Sequence, residues 1–324
     1  MFRLKRKIFA VVLAGALLAA LLLTGCSSVK EAKRLRLGVA GEGGVYHAFG
    51  EVFAALENES SNGTVELKTT AGSAANLRLL MGEYLQLAIA QADLVQDAYD
   101  QTGIFKDEEV DRAYSAVAAL YTEACQVIVR ADSDIQSVED LQGKTVSIGA
   151  EESGSEQNAQ QILAAYGLND KLVDTINLNY EDAAAQLKAG KIDAMLITSG
   201  APSVVVTELA QDCGIRLLNA DGAAAQRLQD SYSAYQTYII PAGTYPGQEA
   251  DVQTVGVKAV LLASDALPEK QVQALTQLLF ANRESLSAQL GIALDAEADA
   301  VEGVGIPFHK GAAAYYKTAG ITVE

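Results

Sequence analysis

Four places in this 324-residue chain join an apolar, strand-like run to a helical pattern through a turn of Gly, Ser or Ala. They are Ala40-Gly41-Glu42-Gly43-Gly44-Val45-Tyr46, Thr70-Ala71-Gly72-Ser73-Ala74-Ala75-Asn76, Gly149-Ala150-Glu151-Glu152-Ser153-Gly154-Ser155-Glu156 and Thr198-Ser199-Gly200-Ala201-Pro202. Each puts a helix N-terminus at the carboxyl end of a strand, the edge at which open α/β sheets bind ligands. Free N–H groups and the helix dipole favour an anion such as a carboxylate there. Glycine lets the backbone approach closely, and serine adds donors. One such turn alone is an ordinary helix start: Ser153-x-x-Glu156 fits a capping box and Pro202 fits a first turn. Their fourfold recurrence is what points to a ligand. Direct donors are expected from Ser153, Ser155 and the backbone near Gly43, Gly44 and Gly72. Arg78 is a weaker candidate for an ion pair. Glu156 serves either as acceptor for a ligand ammonium group or as the cap.

Enzyme constellations are thin. His47 and His309 stand alone, and Ser153 lacks the Gly-x-Ser-x-Gly elbow. No Walker A, zinc or EF-hand spacing is present, and Gly41-x-Gly43 has Tyr46 where a dinucleotide fingerprint needs its third glycine. No catalytic residue, metal or cofactor is expected. An excess of 41 acidic over 24 basic residues, a net charge of −17, argues against nucleic acid and against an anionic membrane surface as partners.

The elements that must position these turns alternate short strands with helices of 10–15 residues, which implies βαβ units and a largely parallel sheet. Strands are read at 35–40, 65–70, 87–90, 145–150, 173–178 and 194–198, and helices at 45–56, 74–81, 155–166, 181–189, 202–212 and 269–286. The apolar stretch Ala116 to Arg130 reads as one crossing between lobes and Tyr235 to Pro241 as a second, with Val255 to Leu262 a strand returning to the first. Lobe one then comprises 35–130 plus 241–324, and lobe two 131–240. Two turns from each lobe would face one another across a hinge.

The amino terminus carries Arg3, Lys5, Arg6 and Lys7, then an uncharged run from Ile8 to Leu23. This is a signal-peptide layout over residues 1–25. Leu23-Thr24-Gly25-Cys26 resembles a lipobox, which makes Cys26 the lipid-modified start of an extracytoplasmic protein tethered by residues 26–34. Cleavage there removes four of the 24 basic residues and no acidic one, leaving a charge of −21. Cys125 and Cys213 remain, as a disulfide that export permits or as two independent thiols.

The successive motifs Gly41-Glu42-Gly43-Gly44-Val45-Tyr46, Ala71-Gly72-Ser73-Ala74-Ala75-Asn76, Gln91-Ala92-Asp93, Ser153-Gly154-Ser155-Glu156-x-Asn158, Gly200-Ala201-Pro202 and Ile240-Pro241-Ala242-Gly243-Thr244-Tyr245-Pro246-Gly247-Gln248 resemble those of the TAXI-type solute receptors of TRAP transporters. The resemblance runs from about residue 35 to the end. It implies a two-lobed, periplasmic-binding-protein-like α/β fold that closes on a small organic anion and delivers it to TRAP permease subunits in the membrane; a monomer is expected. Glutamate, glutamine and related dicarboxylates are the ligands it implies. By position, Tyr46, Ser73, Asn76 and Gln91 would line lobe one, and Ser153, Ser155, Glu156 and the Gly200-Ala201 turn lobe two. After Tyr46 the family commonly shows another aromatic and a proline, where this chain has His47-Ala48. A receptor for an ABC transporter or a sensor kinase would keep the same cleft. An extracytoplasmic hydrolase or transferase is the rival from another class.

Overall fold

The Leu35–Val39 strand (β1) and the Val45–Ser60 helix (α1) open the folded chain, and α1 shows why this sequence becomes a helix against a sheet. Val45, Phe49 and Phe53 recur every four residues, so they fall on one stripe and are buried together, Phe49 and Phe53 stacked at 5.3 Å. Burying such a side chain contributes about 1.5–3 kcal/mol. In this computed structural model the described residues are 34–60, 64–108 and 113–323. The expected leader and Cys26 lie outside them.

The chain continues through β2 (Val65–Thr69), α2 (Ser73–Met81), β3 (Leu87–Gln91) and α3 (Ala92–Asp100) to the long β4 (Tyr114–Arg130). Next come β5 (Thr145–Ser147), α4 (Gly154–Ala165), β6 (Asp174–Ile176), α5 (Tyr180–Lys188), β7 (Ala194–Ser199), α6 (Val204–Cys213), β8 (Ile215–Leu218), α7 (Gly222–Ser231) and β9 (Gln236–Ile240). The second long strand, β10 (Val252–Ser264), precedes α8 (Glu269–Ala281), α9 (Arg283–Leu290) and α10 (Lys310–Thr318). The ten strands of the described residues join one mixed sheet in the order β2-β1-β3-β10-β4-β7-β5-β6, with β8 on β4 and β9 on β10.

The parallel pairs that the strand–helix alternation predicts sit at the two ends, β2-β1-β3 and β7-β5-β6. The middle is antiparallel, because β4 and β10 run through both ends and each changes neighbours partway. Ala124 is the changeover residue of β4: it pairs with Gly256 of β10 and with Ser199 of β7. Helices cover both faces at both ends, giving four buried clusters. Leu37 and Ile89 pack with Phe49 and Phe53 on one face, and Ala88 and Ala90 with Leu77 and Leu94 on the other. At the far end Val127 and Val146 pack with Ile162, and Ile128 and Ile197 with Val206.

The second crossing is therefore β10 itself, not Tyr235 to Pro241. That segment becomes β9, which runs antiparallel to the first half of β10. Ile240, Tyr245 and Val252 share a cluster with Ile128 and Ile197, so the lobe-two end extends past the expected boundary at 241. Pro202 precedes α6, whose N-cap is Ser203. The expected helix over 269–286 breaks at Asn282, whose side chain donates to the Leu278 carbonyl at 2.9 Å and competes with the backbone ladder. Cys125 and Cys213 are both free thiols, which decides between the two alternatives for that pair.

Gly256 lies where β10 leaves β9 for β4. A methyl group placed on it would come within 2.7 Å of the Glu123 carbonyl and 2.8 Å of Thr122. Gly256→Ala is expected to lower stability by about 1–3 kcal/mol, read as a shift of the urea midpoint with unchanged slope. An unshifted midpoint would show that the strands part there without cost.

Candidate ligand-binding site

A cavity of about 400 Å³ lies between the carboxyl ends of β1, β2 and β3 on one side and of β5 and β7 on the other. Three of the four turns deliver their helix starts to it: Gly44 to Tyr46 at α1, Gly72 and Ser73 at α2, and Ser153 to Ser155 at α4. The fourth contributes only Thr198 and Ser199, the end of β7. A helix start not singled out in the sequence, Asn179-Tyr180-Glu181 at α5, completes the ring. Four helix N-termini thus converge on one space, each with N–H groups the helix cannot satisfy.

These N-termini are not equally available. Ser153 is the N-cap of α4 and accepts from the Glu156 N–H at 3.0 Å. Asn179 caps α5 in the same way, accepting from the Asp182 N–H at 2.8 Å. At α2 the capping position is Gly72, which has no side chain to offer. The α1 start follows Gly44 and likewise has no capping side chain, and the α2 start carries the Ser73 hydroxyl, which accepts from the Gln91 N–H at 3.1 Å.

The two halves of the sheet meet across this cavity. A methyl group on Gly72 would lie 3.2 Å from the Ser153 Cα, and the φ of +137° at Gly72 is one that side chains rarely adopt. The Ala75 N–H donates to the Glu152 carbonyl at 3.2 Å, and Arg78 Nη1 lies 3.3 Å from Glu152 Oε1. Deeper in, Asn158 of α4 donates from Nδ2 to Asp93 Oδ2 at 2.8 Å and to the Tyr235 hydroxyl at 2.6 Å. Arg78 thus ties the two halves together and also holds Glu108 at 2.8 Å. It does not line the cavity.

Of the expected site residues, Gly44, Tyr46, Gly72, Ser73, Gln91, Ser153 and Ser155 line the cavity. Asn76 does not: it is fully buried beneath, donating to the Ile89 carbonyl at 2.8 Å and accepting from the Thr70 hydroxyl. Glu156 faces away, its carboxylate taken by the Glu152 N–H and by Asn177 Nδ2 at 2.8 and 2.9 Å. Gly43 opens onto the neighbouring groove beside His47. Gly200 packs against Val45 and Tyr121, and Ala201 against the α5 and α6 cluster.

The residue absent from the expectation is Glu123. It sits in β4 one position before the changeover, is 3 % exposed, and lines the cavity. The Tyr46 hydroxyl donates to its Oε2 at 2.7 Å, and the Gln91 side chain is its other hydrogen-bond partner. Burial pushes its carboxyl up to about 8, against the opposing pull of those two hydrogen bonds. Burial likewise raises Asp93 to about 6. A lone acid within the apolar run Tyr114 to Arg130 was the signal available in the sequence.

Residues 37–320 match the NMT1-like family. The chain belongs to that family. Its fold is that of the periplasmic binding proteins. BugD superposes with a TM-score of 0.56 at 14 % identity, over 89 % of this chain and 98 % of that one. The alkanesulfonate-binding protein SsuA from Xanthomonas axonopodis pv. citri, bound to MOPS, gives 0.50 at 18 % identity over 80 % and 78 %. An ancestral arginine-binding protein bound to arginine gives 0.50 at 14 % over 79 % and 97 %.

Both raised carboxyls hold protons in the folded state that the unfolded chain releases near pH 4, so their contribution to stability falls as pH rises from about 4 to 8. Between pH 6 and 8 the Glu123 share remains. Without ligand, Glu123→Gln is expected to flatten the decline of unfolding free energy over pH 6–8. Parallel curves for the two proteins would count against a raised Glu123.

Gly154→Ala tests the meeting of the two halves. Its methyl group would lie 1.9 Å from Gln91 Oε1, and Gln91 is buried and held by Glu123. The variant is expected to keep its circular dichroism while small-angle scattering reports a larger radius of gyration. An unchanged radius would mean that Gln91 yields instead.

Proposed function

We propose that this chain is an extracytoplasmic solute receptor that captures a small carboxylate ligand between the two halves of its sheet and passes it to a membrane permease. The observation that carries the reading is the convergence of four helix N-termini on one cavity of about 400 Å³, large enough for a ligand of amino-acid size. Among the described residues no Lys, Arg or His lines that cavity. An anion there is held by backbone N–H groups and by hydroxyls such as Ser73, so capture does not depend on the net charge of the chain. Closure of the halves on the ligand, through the contacts at Gly72, Ala75 and Asn158, supplies the differential binding that shifts the population toward the closed form.

The resemblance to TAXI receptors favours glutamate, glutamine or a related dicarboxylate as ligand and a TRAP-type permease as recipient. The leader and lipobox favour a lipid anchor at Cys26. Binding rather than catalysis fits the lining. The Ser155 hydroxyl is held by Tyr180 at 2.7 Å and by the Thr198 N–H at 2.9 Å, and among the described residues no histidine, lysine or cysteine lines the cavity with it. A sulfonate is the second reading: SsuA, which shares the fold, binds alkanesulfonates, and helix N-termini hold either anion.

A thermal-shift panel of amino acids, dicarboxylates, 2-oxo acids, alkanesulfonates and neutral sugars separates these readings. A small carboxylate is expected to raise the melting temperature in proportion to the logarithm of its concentration over its dissociation constant. A shift from sulfonates alone selects the second reading, and one from neutral sugars alone refutes both.

A further inference from the structure

The floor of the cavity has a surplus of acceptors. Glu123 brings a carboxyl group, Gln91 Oε1 is a buried acceptor without a partner, and the buried Ser199 hydroxyl is also unpartnered. All three residues line the same cavity, whose other acids are Glu42 and Glu181 at its exposed side. Among the described residues no cationic side chain lines it. Even with the Glu123 proton as one donor, a ligand carboxylate on this floor would add acceptors to a surplus. An ammonium group brings three donors and a positive charge.

We infer that the floor is an ammonium seat, in which Glu123, Gln91 Oε1 and Ser199 receive the amino group of an amino-acid ligand whose carboxylate rests on the helix N-termini. The inference depends on the receptor reading above and narrows it from carboxylates in general to zwitterions. Glu156, for which the sequence left open the roles of ammonium acceptor and of cap, is already occupied by Asn177 and the Glu152 N–H, so Glu123 takes the acceptor's part.

The pairing has a proton signature. In the empty cavity at pH 7 the Glu123 carboxyl, raised to about 8, holds its proton. Seating an ammonium ion favours the carboxylate, and the proton leaves to solvent. The titratable groups around it are Tyr46, Tyr121, Cys125 and Tyr180, all pushed up by burial and neutral at that pH, and Asp93 at about 6. About one proton should therefore leave per ligand bound at pH 7.

The test pairs each standard amino acid with its matched 2-oxo acid, which keeps the carboxylates and replaces the ammonium by a ketone. Thermal shift finds the binders, and calorimetry at pH 7 in two buffers of different ionisation enthalpy counts protons. Expected are binding of an amino acid at least about 30-fold tighter than its 2-oxo acid and release of about one proton. Glu123→Gln, which keeps the side-chain shape, should weaken that amino acid by about 30-fold or more and abolish the release. A 2-oxo acid bound as tightly as its amino acid, or amino-acid binding with no proton released by the unmutated protein, overturns the ammonium seat and leaves the receptor reading standing. Shifts from neither class overturn the receptor reading and this inference with it.

Discussion

The backbone ladder between β4 and β10 is the constraint on which the rest of the molecule depends. The two strands pair antiparallel along the middle of the sheet, and each continues past the other's reach to recruit further strands. The parallel ends, β2-β1-β3 and β7-β5-β6, are joined only by way of these two strands within the sheet. Where β4 exchanges β10 for β7, at Ala124, the carboxyl ends of the two parallel sets face each other and the cavity forms. A topological switch point is where open α/β sheets leave such a crevice.

Placing Glu123 next to that changeover has a cost. A carboxyl group with 3 % exposure and, among the described residues, no cation beside it must either hold a proton or meet a positive charge. Tyr46 and Gln91 satisfy part of its hydrogen-bonding capacity from two separate elements, α1 and the end of β3. The arrangement orients a group that the fold alone does not need. Asp93, also buried and raised, differs in having Asn158 across the interface as its partner, which makes it part of the contact between halves.

The helix termini divide between structure and recognition according to their caps. Ser153 and Asn179 are engaged in ending their own helices, an ordinary stabilising contact of about 1 kcal/mol. Gly72 leaves its helix without a side-chain cap and brings its backbone against Ser153 of the other half. One glycine thus serves both the approach of the two halves and a helix start without a capping side chain.

Sequence alone determined the local elements and the class of the fold. Period-two and period-3.6 patterns located most strands and helices, and the recurring Gly, Ser and Ala turns marked three of the four helix starts that line the cavity. These are local properties, fixed by neighbours within a few residues. Tertiary structure decided which chemistry those starts surround. Glu123 lies 77 residues from Tyr46, and the pairings β1–β3, β3–β10 and β10–β4 bring them together. Asn76 and Glu156 match the site by position, yet their side chains are taken by the Ile89 carbonyl and by Asn177. The crossing assigned to Tyr235–Pro241 became β9 because β10 offered it a free edge, and strand pairing over such distances has no local pattern to announce it.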